Sequence, residues 1–299
     1  MKICATIAEA RAACRDARQS RRLLGLVPTM GALHEGHLSL VRAARAQCDA
    51  VAVSIFVNPT QFGPTEDLAK YPRQFDQDCR LLEKEGVEIL FAPAVEEIYP
   101  QGAVTWVVVE GLSEKLDGRS RPGHFRGVTT IVAKLFHIIE PEVAFFGQKD
   151  AAQLAVIRRM VRNLNFPVEI VACPIVRESD GLAMSSRNAY LNREERVRAL
   201  VLQRALQEAQ RQFRAGERSA GKLISAGQAV FAREPQVMLD YFEIVDPDSL
   251  KPVELISQKT LVAVGAYVGS TRLIDNVVLE PGAQLPKERY PTSIYCSIS

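Results

Sequence analysis

The chain has 299 residues, 47% of them hydrophobic, enough to bury one large core or two ordinary ones, so a globular protein is expected. Lys plus Arg (37) exceeds Asp plus Glu (35) by only two, which leaves no extended basic surface for nucleic acid; the runs Arg18 to Arg22 and Arg158 to Arg162 read as solvated helix faces. The longest apolar stretches, such as Ala50 to Val57, fall far short of the ~20 residues of a membrane-spanning helix.

Residues 1 to 19 have no apolar h-region and carry Glu9 and Asp16, so they read as part of the mature fold. LLGLVP (23–28) reads as a buried strand, TMGALHEG as a glycine-bearing loop, HLSLVRAARAQC as a helix, and Ala50 to Val57 as the next strand, which is one βαβ unit. The pattern recurs in a helix from Gln74 to Glu85 stopped by Gly86, the strand VEILFAP, a helix from Thr129 to Ile139 and the strand EVAFFG. GQKD then opens a helix with Leu154, Ile157 and Val161 on one face, and the strand VEIVACP closes the series. Five or so alternating strands predict an α/β, doubly wound, Rossmann-like parallel sheet over residues 1–176, with its ligand site beyond the carboxyl ends of the strands. Residues 177–299 change character. A polar segment leads to a long amphipathic helix (Arg193 to Ala215), a second helix ending near Arg233, and strands near Met238–Val245, Thr260–Val268 and Arg272–Leu279. They predict a small α+β domain, with a tail from about residue 281 left unassigned. Cys4, Cys14, Cys48, Cys79, Cys173 and Cys296 are scattered without a C-x-x-C pair, which argues against a disulfide framework or zinc site and for a reducing cytoplasm.

Three constellations carry chemistry. His34 and His37 stand three apart where the first strand turns into the first helix, so both imidazoles can face a phosphate held by the first-turn N–H groups, while Gly31 and Gly36 leave the backbone open. Two nearby histidines are more often structural; this position favours function. The i, i+3 spacing without a third ligand cluster departs from the zinc H-E-x-x-H pattern. Gly147-Gln148-Lys149-Asp150 again follows a strand: the lysine can hold phosphate, and Asp150 can cap the helix or hold Mg²⁺ or ribose, although an ordinary surface N-cap reads equally well. Met184-Ser185-Ser186-Arg187 offers two hydroxyls and a guanidinium to a triphosphate, but serine-rich linkers are common. GERSAGKL (216–223) nearly spells a P-loop, yet Leu223 replaces the Mg²⁺-binding hydroxyl residue and a helix precedes it; its S-x-x-K lacks partner motifs, and no G-x-G-x-x-G occurs.

The His-x-Gly-His turn resembles the nucleotidyltransferase superfamily. VPTMGALHEGH, FVNPTQF, EDLAKYPR, RPGHFRGV, FFGQKD, GLAMSSRNAYL and TRLIDN, in that order over residues 1 to 280, resemble the pantothenate synthetase family. The resemblance implies condensation of (R)-pantoate with β-alanine using ATP and Mg²⁺, through a pantoyl adenylate, by a cytoplasmic homodimer. It implies an ATP site of Met30, Gly31, Ala32, Leu33, His34, Glu35, Gly36, His37, Gly147 to Asp150, Val176 and Met184 to Arg187. His37 would be the proton donor, with His34 beside it and Lys149 on phosphate. Gln61 would hold pantoate and β-alanine, Gln153 pantoate, Arg126 and Tyr71 would be wall residues, and Asp78 would lie near Mg²⁺. His137, Ala151 and Ala152 depart from the family pattern, the last two next to Gln153.

Two other classes compete. A transferase that moves a whole nucleotide shares the histidine turn but not NPTQF with RPGHFRGV, and a non-catalytic nucleotide-binding module would be expected to have lost His37 or Lys149, both of which are present.

Overall fold

A computed structural model of the chain describes residues 1–19, 23–64 and 66–282. Cys296, the tail beyond residue 282 and the end of the Arg18 to Arg22 run lie outside the described residues.

The chain opens with β1 (Lys2–Cys4) and α1 (Ile7–Arg18), whose N-cap Thr6 forms a reciprocal capping box with Glu9. β2 (Leu24–Thr29), α2 (Glu35–Gln47), β3 (Ala50–Ile55), α3 (Phe75–Lys84) and β4 (Ile89–Phe91) follow the βαβ pattern. Two four-residue helices, α4 (Val95–Ile98) and α5 (Asp117–Ser120), precede α6 (His124–Ile139), β5 (Val143–Gly147), α7 (Ala151–Leu164) and β6 (Glu169–Cys173). The six strands form one sheet in the order β1-β4-β3-β2-β5-β6, every neighbouring pair parallel. β2 and β3 read as unbroken apolar runs because helices cover both faces; Leu24, Leu26, Val51 and Val53 are fully buried. Each such side chain contributes roughly 1.5–3 kcal/mol by leaving water.

The chain then builds α8 (Arg193–Ala199), α9 (Val201–Arg214), α10 (Ala220–Phe231) and the antiparallel strands β7 (Val237–Val245), β8 (Thr260–Val268) and β9 (Thr271–Leu279), in the order β7-β8-β9. The predicted α/β sheet and α+β unit are both present. The expected single helix from Arg193 to Ala215 is two, interrupted at Leu200. Buried Ala199, Leu202, Ala205 and Leu206 keep one apolar face through the junction, so periodicity does not report the break.

After β2 the chain steps to β3 on one side, and β5 later pairs on the other, Gly25 opposite Val143 and Leu26 opposite Ala144. That reversal opens a crevice at the carboxyl ends of β2 and β5. α6 closes on it from one side. Its Gly127 lets the helix abut the turn at Pro59–Gln61, where a Cβ would come within 2.5 Å of the Thr60 carbonyl oxygen.

Candidate active site

The crevice is a cavity of about 230 Å³. Of the residues predicted for the site, Met30, His34, Gly36, His37, Gln61, Tyr71, Gly147, Lys149, Asp150, Gln153, Val176 and Met184 to Arg187 all line it.

α2 starts at the mouth of this cavity because His34 is its N-cap. The His34 Nδ1 accepts the Gly36 N–H at 3.1 Å, and the His37 Nδ1 accepts the His34 N–H at 3.4 Å. A Cβ on Gly36 would lie 2.9 Å from the His34 ring, so this folded-back cap needs glycine there. With Nδ1 accepting on both rings, each neutral imidazole carries its hydrogen on Nε2. Burial lowers both pKa values, His34 to about 4 with help from the Lys149 charge and His37 to about 3 with help from His34. The pair therefore offers two uncharged N–H donors at neutral pH. Lys149, in the turn that follows β5, lines the same cavity, and its charge is near enough to lower the pKa of both rings.

Asp78 requires a correction. Its side chain is 1% exposed, and its two oxygens accept the N–H groups of Ala32 (2.9 Å) and Leu33 (2.8 Å). A carboxylate so occupied holds the 30–34 loop; it does not face the cavity as a Mg²⁺ ligand. Arg126 also departs from expectation. It is exposed, its guanidinium 4.7 Å from the Trp106 ring centroid. Gly31, Ala32 and Leu33 are buried behind the cavity wall, Glu35 is exposed and paired with Arg42, and Gln148 turns towards Asn276. Ala151 and Ala152 are buried at the start of α7 and do not line the cavity, and His137 packs against Phe166 at the far end of α6.

Asn58, Arg121 and His124 also line the cavity; they stand in the quoted motifs but had no role assigned from the sequence. The His124 Nδ1 lies 2.8 Å from the Gln61 carbonyl oxygen, which only accepts, and Nε2 lies 3.0 Å from Arg121 Nη1, which only donates. Its neutral tautomer is thus fixed opposite to that of the active pair, with its pKa lowered to about 4 by burial and by the Arg121 charge. Arg121 in turn grips Glu66 through Nε (2.8 Å) and Nη2 (2.6 Å). Asn58, 1% exposed, donates to the Gln61 Oε1 and the Gly127 carbonyl, both at 3.1 Å. The Gln61 amide is therefore held on both its backbone and its side chain.

The family model described as pantoate-beta-alanine ligase matches residues 2–278. This chain belongs to that family. A pantothenate synthetase of Acidobacterium capsulatum is 61% identical over 290 residues, covering 93% of this chain and 97% of the relative. The crystal structure of pantothenate synthetase from Thermus thermophilus superposes with a TM-score of 0.88 at 47% identity, covering 93% of this chain and 99% of that one. That of pantoate-beta-alanine ligase from Francisella tularensis, complexed with beta-gamma ATP and beta-alanine, gives 0.72 at 32% identity over 93% and 97%. As a pantoate-beta-alanine ligase, the chain is an enzyme of pantothenate synthesis that joins pantoate to β-alanine.

Proposed function

We propose that this ligase activates (R)-pantoate as its adenylate, with ATP lying between α2 and the Gly147–Asp150 turn. The observation that carries the proposal is that two neutral imidazole donors at the α2 N-terminus and Lys149 line one cavity. Such donors stabilise charge as it grows on phosphate oxygens. A pantoate carboxylate oxygen attacks the α-phosphorus, the bond from that phosphorus to the bridging oxygen of the β-phosphate breaks, and pyrophosphate leaves with the electron pair. The neutral β-alanine nitrogen then attacks the acyl carbon; the carbon–oxygen bond to AMP breaks, and the nitrogen loses a proton.

The neutral amides Gln61 and Gln153 orient pantoate, Tyr71 closes the wall, and Met30, His34, Gly36, His37, Gly147, Lys149, Asp150, Val176 and Met184 to Arg187 hold the nucleotide. His37 acts as a neutral hydrogen-bond donor, since burial keeps it unprotonated at neutral pH. Asp150 is the one carboxylate among the described residues lining the cavity and would share Mg²⁺ with the phosphates. Bound there, the metal offsets phosphate charge.

Residues 1–176 and 177–299 act as two domains, the second lying over the first. Arg187, which lines the cavity, pairs with Asp67 of the first domain through two 3.1 Å bonds, which supports that closure. A homodimer is supported by Val104, Trp106 and Val108, exposed by 81%, 40% and 53% at alternate positions beside a Val107 pinned to α6 through Thr129 and Thr130. A cytoplasmic site agrees with five free cysteines and with the lack, among the described residues, of a helix able to cross a membrane.

With ATP, Mg²⁺ and pantoate alone, the enzyme exchanges labelled pyrophosphate into ATP, and ¹⁸O from the pantoate carboxylate reaches AMP once β-alanine is added. His37→Ala and Lys149→Ala each lower the exchange rate about 10²–10³-fold. Accumulation of ADP with label in inorganic phosphate would mean an acyl phosphate and defeat the proposal. Val108→Asp yields a monomer by sedimentation; an unchanged dimer would remove that interface.

A further inference from the structure

The Arg272-Leu-Ile-Asp-Asn276 stretch of β9 sends Asn276 to the turn that follows β5 and its neighbour Asp275 to the segment that follows β6. Asn276 is 2% exposed. Its Nδ2 donates to the backbone oxygens of Gln148 and Lys149, each at 2.9 Å, and its Oδ1 accepts from the Gln148 Nε2 at 3.1 Å. One carboxamide thereby spends both its donors and one of its acceptor lone pairs on the short turn Gln148–Asp150 that follows β5 and leads into α7. Asp275, 3% exposed, takes the Arg177 guanidinium on both oxygens, at 2.7 and 3.0 Å. Arg177 also donates to the Gly181 carbonyl at 3.0 Å, so the same strand steadies the segment leading to Met184.

A lysine stem has four rotatable carbons, and its ammonium is a preorganised donor only if the backbone from which it starts is fixed. β5 fixes that backbone as far as Gly147, and α7 fixes it again from Ala151. Between them, Asn276 is the buried side chain bonded to the Lys149 backbone. We propose that Asn276 is a positioning residue for Lys149: the strand of the small domain sets where the lysine stands, so the cation is aligned only while that domain is docked. This rests on the phosphate contact proposed for Lys149. Asn276→Asp keeps the shape, loses both donors and sets oxygen against two carbonyl oxygens.

The test is a double-mutant cycle on pyrophosphate exchange with ATP and pantoate, run in the full-length enzyme. Asn276→Asp should lower the rate about 10–10²-fold while leaving the KM for pantoate within about twofold, because a misplaced donor damages the transition state and not pantoate binding. In a Lys149→Ala background the same substitution should cost less than about threefold, since the group it positions is gone. An equal fold-loss in both backgrounds overturns the proposal and leaves the site assignment standing. Undiminished exchange in Lys149→Ala alone overturns the site assignment, and this proposal with it. If Asn276→Asp does not fold, Asn276→Ser takes its place in the cycle, with the same outcomes.

Discussion

The rings of His34 and His37 are stacked, centroids 4.0 Å apart and planes inclined by 29°, and the His37 Nδ1 accepts the N–H of His34 itself. Neither ring can take up a second proton without surrendering its bond to a backbone donor and placing a cation beside its neighbour. The arrangement keeps both neutral and both Nε2–H groups available.

Neutrality has a cost in acid. In the unfolded chain a histidine protonates near 6.5, whereas His34 and His124 are held at about 4 and His37 at about 3 by burial. Below 6.5 the unfolded state therefore binds protons that the folded state refuses, and stability falls as pH drops from 6.5 towards 4. Each histidine adds a slope of up to about 1.4 kcal/mol per pH unit. Urea midpoints measured from pH 7 to 4.5 should decline steeply, and His124→Gln, which keeps a donor for the Gln61 carbonyl, should flatten the decline. An identical slope in the variant would mean that His124 titrates normally.

Asp78→Ala strips the acceptor from two buried N–H groups on the loop carrying His34. Each unsatisfied group costs about 1–3 kcal/mol, and the loosened loop raises the KM for ATP. Ala32, held at φ +50°, loses its anchor in the same change. The Mg²⁺ concentration giving half-maximal rate should stay where it is in the wild type. A tenfold rise in that concentration would restore Asp78 to the metal.

Arg121 and Arg126 lie five residues apart and should behave oppositely. Arg126→Ala removes an exposed contact with Trp106 worth about 0.5–1 kcal/mol and should change kcat/KM less than about twofold. Arg121→Ala frees His124 and Glu66 and slackens Gln61; it should lower kcat/KM for pantoate about tenfold or more. Steady-state kinetics with pantoate varied decides between them, and the reverse ranking would return Arg126 to the site.

Much of the large sheet was legible because its signals are local. β2, β3 and β5 are apolar runs buried on both faces, and Leu38, Val41 and Ala44 recur at helical spacing on α2. The His34 cap and the Gly147–Asp150 turn lie where strand passes to helix, so sequence order alone put them at the same end of the sheet. β1 and α1 escaped notice, since a three-residue strand is held by pairing with β4 and carries no pattern of its own. α6 begins at His124 and not near Thr129; Gly127 lowers local helix propensity, but close packing on the Pro59–Gln61 turn requires it.

The sequence by itself determined the alternation of strands and helices, the separate α+β unit, and the motifs that carry the donors, because hydrophobic period and turn chemistry are properties of neighbours along the chain. Only the tertiary structure decided which way the polar residues in those motifs face. His124 and Arg126 are two apart on one helix, about 200° around its axis, so the packing of α6 turns one into the cavity and the other to solvent. Asp78 and Asn276 were decided by distance. Each binds the backbone of a loop more than forty positions away, and a pairing that exists only after the chain has folded leaves no mark on the residues beside it.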